Sequence, residues 1–365
     1  MHILYGVQAT GQGHISRARA MAKALREHDV QVSWLFSGRP RDRLFDMQPF
    51  GDFMHRRGLT FATQTGSVRY LRTALSNNLP RFLYDAQQLD LSAYDLVVTD
   101  YEPLTAWACK WSQRDCIGIG HQYAFGPSAP VDGDTWLSRW IMRNFAPVTR
   151  PVGLHWHAYR NNVLPPILDL PNADISEGNY YLVYLPFEDQ GTVTRWLQSA
   201  PDHRFVQYSG AVSHGEAGNV QRHPASVEAF KRHLAGCRGV ICNSGFELIS
   251  ECIHWQKPVL TRPLMGQMEQ LSNALSLKQL GHAQVMDSLD TEPLHTWLAA
   301  GHRQKHKHYP DVAQALAEWL AQGAISPVHS LSQTLWQQTP SSVALQRHGH
   351  RQCSMPNPLT EALTT

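Results

Sequence analysis

The sequence predicts an α/β protein built from two doubly wound, Rossmann-like domains, and three observations carry that prediction. Short apolar runs alternate with amphipathic helical stretches in two separate series, the first opening at residue 2 and the second at residue 180. A stretch rich in Pro and Asn, residues 161–171 (NNVLPPILDLP), lies between them. The length of 365 residues suits two domains better than one. Alternating strands and helices form a parallel sheet covered on both faces, so each series reads as one sheet. The expected division is 1–165, a linker at 166–179, a second domain at 180–326, and a polar, mobile tail at 327–365.

In chain order, residues 2–7 (HILYGV) read as a buried strand, and the loop after them carries Gly11 and Gly13. A helix over 15–27 follows, with Ile15, Ala18, Ala22 and Leu25 at helical spacing on its inner face. Residues 31–36 form the second strand. The glycines do not make a GxGxxG fingerprint, and Ser37, Gly38 and Arg39 stand where a dinucleotide-binding fold places an acidic residue. That argues against an NAD or FAD enzyme. A third buried strand, 96–99 (LVVT), ends in Asp100, which either points into a cleft or caps the helix expected over 104–111. The strand 116–120 (CIGIG) delivers His121 and Gln122 to the same edge.

Asp132-Gly133-Asp134 follows a Pro-containing loop, and a turn with a helix cap explains it better than a metal site does. In 135–145 (TWLSRWIMRNF), Trp136, Leu137, Trp140, Ile141 and Phe145 form one stripe with Arg139 and Arg143 nearby. Such a stripe packs into a core, its commoner use, or lies at a membrane surface. The second series runs through a strand at 180–186, a helix at 190–198, a strand at 205–208, a helix at 226–235 and a strand at 239–242. Beyond Gly281 come a short strand, 283–286, and helices near 293–300 and 312–322.

Composition excludes several classes. The net charge of +2 gives no reason to expect a nucleic acid partner. No apolar run approaches the roughly 18 residues that span a bilayer, and the start lacks a signal-peptide pattern. Cysteines 109, 116, 237, 242, 252 and 353 show no CxxC spacing, which suits reduced thiols and a cytoplasmic location. His302, His306 and His308 stand among Lys and Arg (GHRQKHKHYP) and read as a solvated helix end, not a zinc site.

The most informative stretch is 241–274, ICNSGFELISECIHWQKPVLTRPLMGQMEQLSNA. Two consecutive strand-to-helix loops occur in it, each putting free helix N–H groups at the carboxyl edge of a sheet, where open α/β folds bind ligands and helix N-termini favour phosphate. The order Ser-Gly-x-x-x-x-Ser-Glu, then Lys-Pro, a Pro-containing loop and Glu-Gln-x-x-Asn-Ala resembles the donor half of GT-B glycosyltransferases, most of all the MurG-like branch.

That resemblance implies an inverting, metal-independent glycosyltransferase with no cofactor. Its expected partners are a nucleotide-sugar donor, UDP-linked, and a glycan or lipid-linked acceptor, met at the inner membrane face by a peripheral protein. It puts Ser244, Gly245, Phe246, Glu247 and Leu248 at the donor phosphates, Glu251 on the ribose hydroxyls, and Gln267, Glu269 and Gln270 on the sugar, with Asn273 as a buttress. Gly11-Gln12-Gly13-His14 is similar to the first-domain loop of the same enzymes. It implies acceptor-side roles for Gly11, Gly13, His121 and Gln122, with His14 or Asp100 as base. Glu269 departs from the family's usual amide or Asp, and Phe246-Glu247 replaces smaller residues, so the sugar need not be N-acetylglucosamine. A nucleotide-sugar 2-epimerase shares the fold, and a non-catalytic nucleotide-sugar-binding protein would carry the same donor loops.

Overall fold

The computed structural model describes residues 1–60, 63–64, 67–68, 78–171, 173–300 and 304–343. His302, Cys353 and the tail beyond residue 343 lie outside the described residues.

The first lobe contains the strands β1 (His2–Gln8), β2 (Gln31–Ser37), β3 (Met54–His55), β4 (Leu96–Asp100), β5 (Ile117–Gly120), β6 (Arg150–Leu154) and β7 (Val163–Leu164). They lie in the order β3-β2-β1-β4-β5-β6-β7, every neighbouring pair parallel. Ile3, Leu4, Tyr5 and Val7 of β1 are fully buried, as a central strand covered on both faces requires. Around the sheet stand α1 (Gln12–Leu25), α2 (Leu79–Gln87), α3 (Pro103–Trp111) and α4 (Trp136–Asn144). The winding reverses between β1 and β4, where Val7 pairs with Asp100. This switch point puts the Gly11–His14 loop beside Asp100.

The second lobe repeats the plan with β8 (Tyr180–Tyr184), β9 (Arg204–Tyr208), β10 (Gly215–Ala217), β11 (Val220–His223), β12 (Gly239–Asn243), β13 (Val259–Arg262) and β14 (Gln284–Val285). Their order is β10-β11-β9-β8-β12-β13-β14, and β10 is the antiparallel member. Its helices are α5 (Gln190–Gln198), α6 (Val227–Gly236), α7 (Phe246–His254), α8 (Met268–Leu280) and α9 (Thr291–Ala299). The β10–β11 hairpin, β3 and α2 are elements that the sequence reading did not foresee.

The chain then crosses back. α10 (Val312–Ala321) buries Val312, Leu316, Ala317 and Leu320 in the same apolar cluster as Ile15, Ala18 and Met21 of α1. α11 (Val328–Gln337) follows, and Ser332 Oγ and Trp336 Nε1 both donate to the Val163 carbonyl at 2.7 Å. Residues 328–337, expected within a mobile tail, are therefore a packed helix. Val328, Leu331 and Leu335 give α11 an apolar face at helical spacing, hidden in a composition dominated by Gln, Ser and His.

Lys305–Lys307 is likewise a strand, paired with Ser341–Val343, and not a helix end. His306 is buried, the His308 ring lies tilted against His254 at 4.2 Å, and Lys307 donates to the Trp156 carbonyl while burial lowers its ammonium to about 8. Helix α4 departs from the core reading, for Trp136 and Trp140 are 76% and 59% exposed.

Candidate active site in the seam between the lobes

The carboxyl ends of both sheets face a common seam, and the first lobe contributes a buried charged cluster to it. The β4–α3 turn is tight. Tyr101 takes a left-handed φ of 51°, which costs a non-glycine residue about 1 kcal/mol or more. The turn leaves Asp100 at the strand end and brings Glu102 round to cap α3, accepting from Leu104 N at 2.9 Å and Thr105 N at 2.7 Å. The capping alternative for Asp100 thus falls to Glu102.

Asp100 is fully buried and serves His14 and Arg17 instead. His14 Nδ1 lies 2.8 Å from Asp100 Oδ1, while Arg17 donates through Nε to Oδ2 at 2.8 Å and through Nη2 to Oδ1 at 2.5 Å. Burial alone would raise the Asp100 carboxyl, but the charge of Arg17 and the hydrogen bonds from Arg17 and His14 outweigh it and hold the group below its ordinary value. An ionised carboxylate only accepts, so the imidazole hydrogen sits on Nδ1 and Nε2 keeps its lone pair. The ring is 15% exposed, enough to reach a ligand in the seam.

The second lobe meets this cluster with helix N-termini. The N-caps of α7 and α8 are Gly245 and Gln267, and neither provides a side-chain hydrogen bond. Gly11 leaves α1 in the same state. In contrast, α2 to α6 and α10 are capped by side chains, while α9 and α11 start without a side-chain cap. Three uncapped N-termini at one seam leave N–H groups and helix-dipole charge for a ligand. Side chains at Gly11 or Gly245 would meet nothing within 4 Å, so there is open space beside both turns. Buried polar atoms without a partner also gather here: Gln12 Nε2, Gln122 Oε1, Asn243 Oδ1 and Gln267 Oε1. A bound ligand or water at the seam would satisfy them.

The structure brings His121, Gln122, Glu269 and Asn273 together across this seam. His121 is buried, its Nε2 lies 2.6 Å from the acceptor Asn273 Oδ1, and its ring stacks on Phe246 at 4.0 Å. Burial lowers its imidazole below the ordinary value. Gln122 donates to Glu269 at 3.1 Å. Asn273 Nδ2 donates to the Ser244 carbonyl at 2.9 Å, Ser244 Oγ bonds Thr261 Oγ1, and Gln270 Oε1 accepts from Leu264 N at 2.9 Å, so these side chains shape the two strand-to-helix loops. Leu248 is half-buried in the first turn of α7.

Glu247 reaches across to Arg17. Glu251 is only 3% exposed and ion-pairs with Lys231, itself bonded to the Asp169 carbonyl at 2.7 Å. Burial raises the Glu251 carboxyl despite Lys231. Asp132 and Asp134 are exposed, and Asp134 pairs with Arg139 at 3.1 Å. Among the described residues no three His, Cys, Asp or Glu side chains converge on a metal position.

Sequence reading missed Arg17, Lys231 and Asp169. Arg17 carried a usable signal, since position i+3 from His14 puts both on one helix face. Lys231 and Asp169 come from distant segments and had none.

Two doubly wound lobes apposed at the carboxyl edges of their sheets define a GT-B glycosyltransferase. The chain belongs to glycosyl transferase family 1, whose sequence profile matches residues 1–300. Among solved structures it is similar to the glycosyltransferase SnogD from Streptomyces nogalater, at 16% identity and TM-score 0.51 over 93% of this chain and 99% of that one. It is also similar to the glycotransferase of kitacinnamycin (14%, TM-score 0.56, 93% and 99%). A third likeness is to LpCGTa in complex with UDP (12%, TM-score 0.54, 92% and 98%). At such identities the likeness speaks for the fold. No curated protein sequence matches the chain.

Proposed function

We propose that the chain is an inverting, metal-independent glycosyltransferase that moves a sugar from a UDP-linked donor to a glycan or lipid-linked acceptor. The observation that carries this reading is the His14–Asp100 pair on one lobe, set against uncapped helix N-termini on the other. His14 Nε2 takes the proton of the acceptor hydroxyl while that oxygen bonds to the anomeric carbon. The bond from that carbon to the diphosphate breaks on the opposite face, which inverts the centre. Asp100 orients the ring and stabilises the imidazolium. The leaving diphosphate meets the N–H groups of the Ser244–Leu248 turn, a fixed arrangement of dipoles that needs no reorganisation. The UDP bound to LpCGTa supports a uridine donor.

A panel of UDP-, GDP- and TDP-sugars tests the reading by thermal shift and proton NMR. One nucleotide sugar and its free nucleotide should stabilise the protein, by about 2.7 kcal/mol at a hundredfold excess over Kd. Slow hydrolysis at most should follow without acceptor. An equilibrating C2 epimer would turn the reading to an isomerase, and no stabilisation by any donor would sink it.

The acceptor side supports peripheral membrane contact on the cytoplasmic face. Leu79, Leu83 and Tyr84 of α2, Trp111 of α3, and Trp136 and Trp140 of α4 are all exposed. The helices adjoin: α2 packs on α3, and Trp107 Nε1 bonds the Asn144 carbonyl at 3.2 Å. Lys110, Arg139 and Arg143 border the patch, the mixture of Trp and cations that suits a lipid interface. Among the described residues no helix is long and apolar enough to cross a membrane. The protein should sediment with vesicles containing anionic phospholipid more than with neutral ones. Trp136→Ser with Trp140→Ser should lower that affinity about tenfold or more, from the area of two indoles. Equal sedimentation of both proteins would refute the contact.

A further inference from the structure

The seam contains a charge arrangement that the His14–Asp100 pair alone does not explain. Arg17 is 1% exposed and binds two groups, both oxygens of Asp100 and, from the other lobe, Glu247, while its Nη2 lies 3.0 Å from His14 Nδ1. Glu247 belongs to the first turn of α7, and its second oxygen lies against Gly13, where any side chain would collide with the carboxylate. One acidic side chain of the second lobe is thus seated on the glycine loop and the arginine that support the base of the first. The other titratable groups acting on this cluster are Tyr5 of β1 beneath it, and Glu269 and His121 beside it.

We propose that Glu247 and Arg17 are positioning residues that strengthen the His14–Asp100 pair as a base only when the lobes close. The inference rests on the reading of His14 as the base. With the seam open, Arg17 and Asp100 cancel, and a proton arriving on His14 leaves the cluster with one uncompensated positive charge. With the seam closed, Glu247 adds one negative charge. The proton taken from the acceptor hydroxyl then brings the four side chains to neutrality, which favours the transfer. Chemistry is thereby withheld until donor and acceptor lobes have met, and water in an open cleft is not activated.

Two variants and two measurements test this on the whole chain. Glu247→Gln keeps the shape and removes the charge. Gly13→Ala keeps the charge and pushes the carboxylate off its seat. Hydrogen exchange of the protein alone should quicken at the starts of helices 12–25 and 246–254 in both variants. Turnover of the stabilising sugar from the UDP-, GDP- and TDP-sugar panel should show kcat reduced about tenfold or more with donor KM within about twofold. Glu247→Asp should recover part of that kcat. A raised donor KM with kcat intact in Glu247→Gln would make Glu247 a donor ligand and overturn the proposal, as would unchanged exchange in both variants. A panel that stabilises nothing rejects the donor reading of the preceding section, and the exchange experiment still decides whether the seat exists.

Discussion

His14→Ala is expected to cut sugar transfer about a hundred- to ten-thousandfold, the usual worth of a positioned general base, while donor-induced thermal stabilisation survives. The separation follows from the architecture. His14 stands in the first lobe, 15% exposed and tied to Asp100, whereas the uncapped starts of α7 and α8 belong to the second. Asp100→Asn should also be slow, but Asp100 serves Arg17 through both oxygens, so that variant loses folding stability as well as rate. His14→Gln isolates the chemical loss, since it leaves the Arg17–Asp100 pair intact. The measurement is release of nucleotide with and without acceptor, alongside the melting shift. Turnover within a few-fold of the parent in His14→Ala would remove His14 as base.

That expectation could be framed from sequence only as a choice between His14 and Asp100, and the structure shows why. The positions of both were legible, because strand ends at a switch point follow from the order of apolar runs. Their mutual geometry was not. It depends on the register that pairs Val7 with Asp100, and on Tyr101 taking a left-handed turn that frees Asp100 from capping duty. The two strand-to-helix loops of the second lobe were legible for a similar reason, since the stretch 241–274 holds both junctions in one continuous run. What the sequence hid lies between segments. Lys231 meets Glu251 and Asp169 only after three distant pieces of chain have packed, and α11 is concealed by its polar composition until its apolar face finds β7. The stripe of α4 illustrates a different limit, because helical spacing says which residues share a face and not what that face meets.

Lys231→Met carries the second large effect, on stability. Lys231 and Glu251 are both buried, at 8% and 3% exposure, and form an ion pair with the Asp169 carbonyl as a further acceptor. A buried pair adds little net stability, but removing one partner strands the other, and the typical loss is about 3–5 kcal/mol. Against a total of about 5–15 kcal/mol for a folded domain, a large share of the native population is at risk. Urea unfolding at neutral pH should show the loss as a lower midpoint with an unchanged slope. The double variant Lys231→Met, Glu251→Gln should regain most of it, since no buried charge remains. The pH dependence gives an independent sign. Burial raises the folded-state Glu251 carboxyl above its unfolded value, so the penalty for the stranded carboxylate is full at pH values above the folded pKa. It is relieved as pH falls through that raised value and the group takes up a proton. The gap between Lys231→Met and the parent should therefore narrow on mild acidification. A gap that stays constant would mean that the cost lies in lost packing around the lysine stem and not in the unpaired charge.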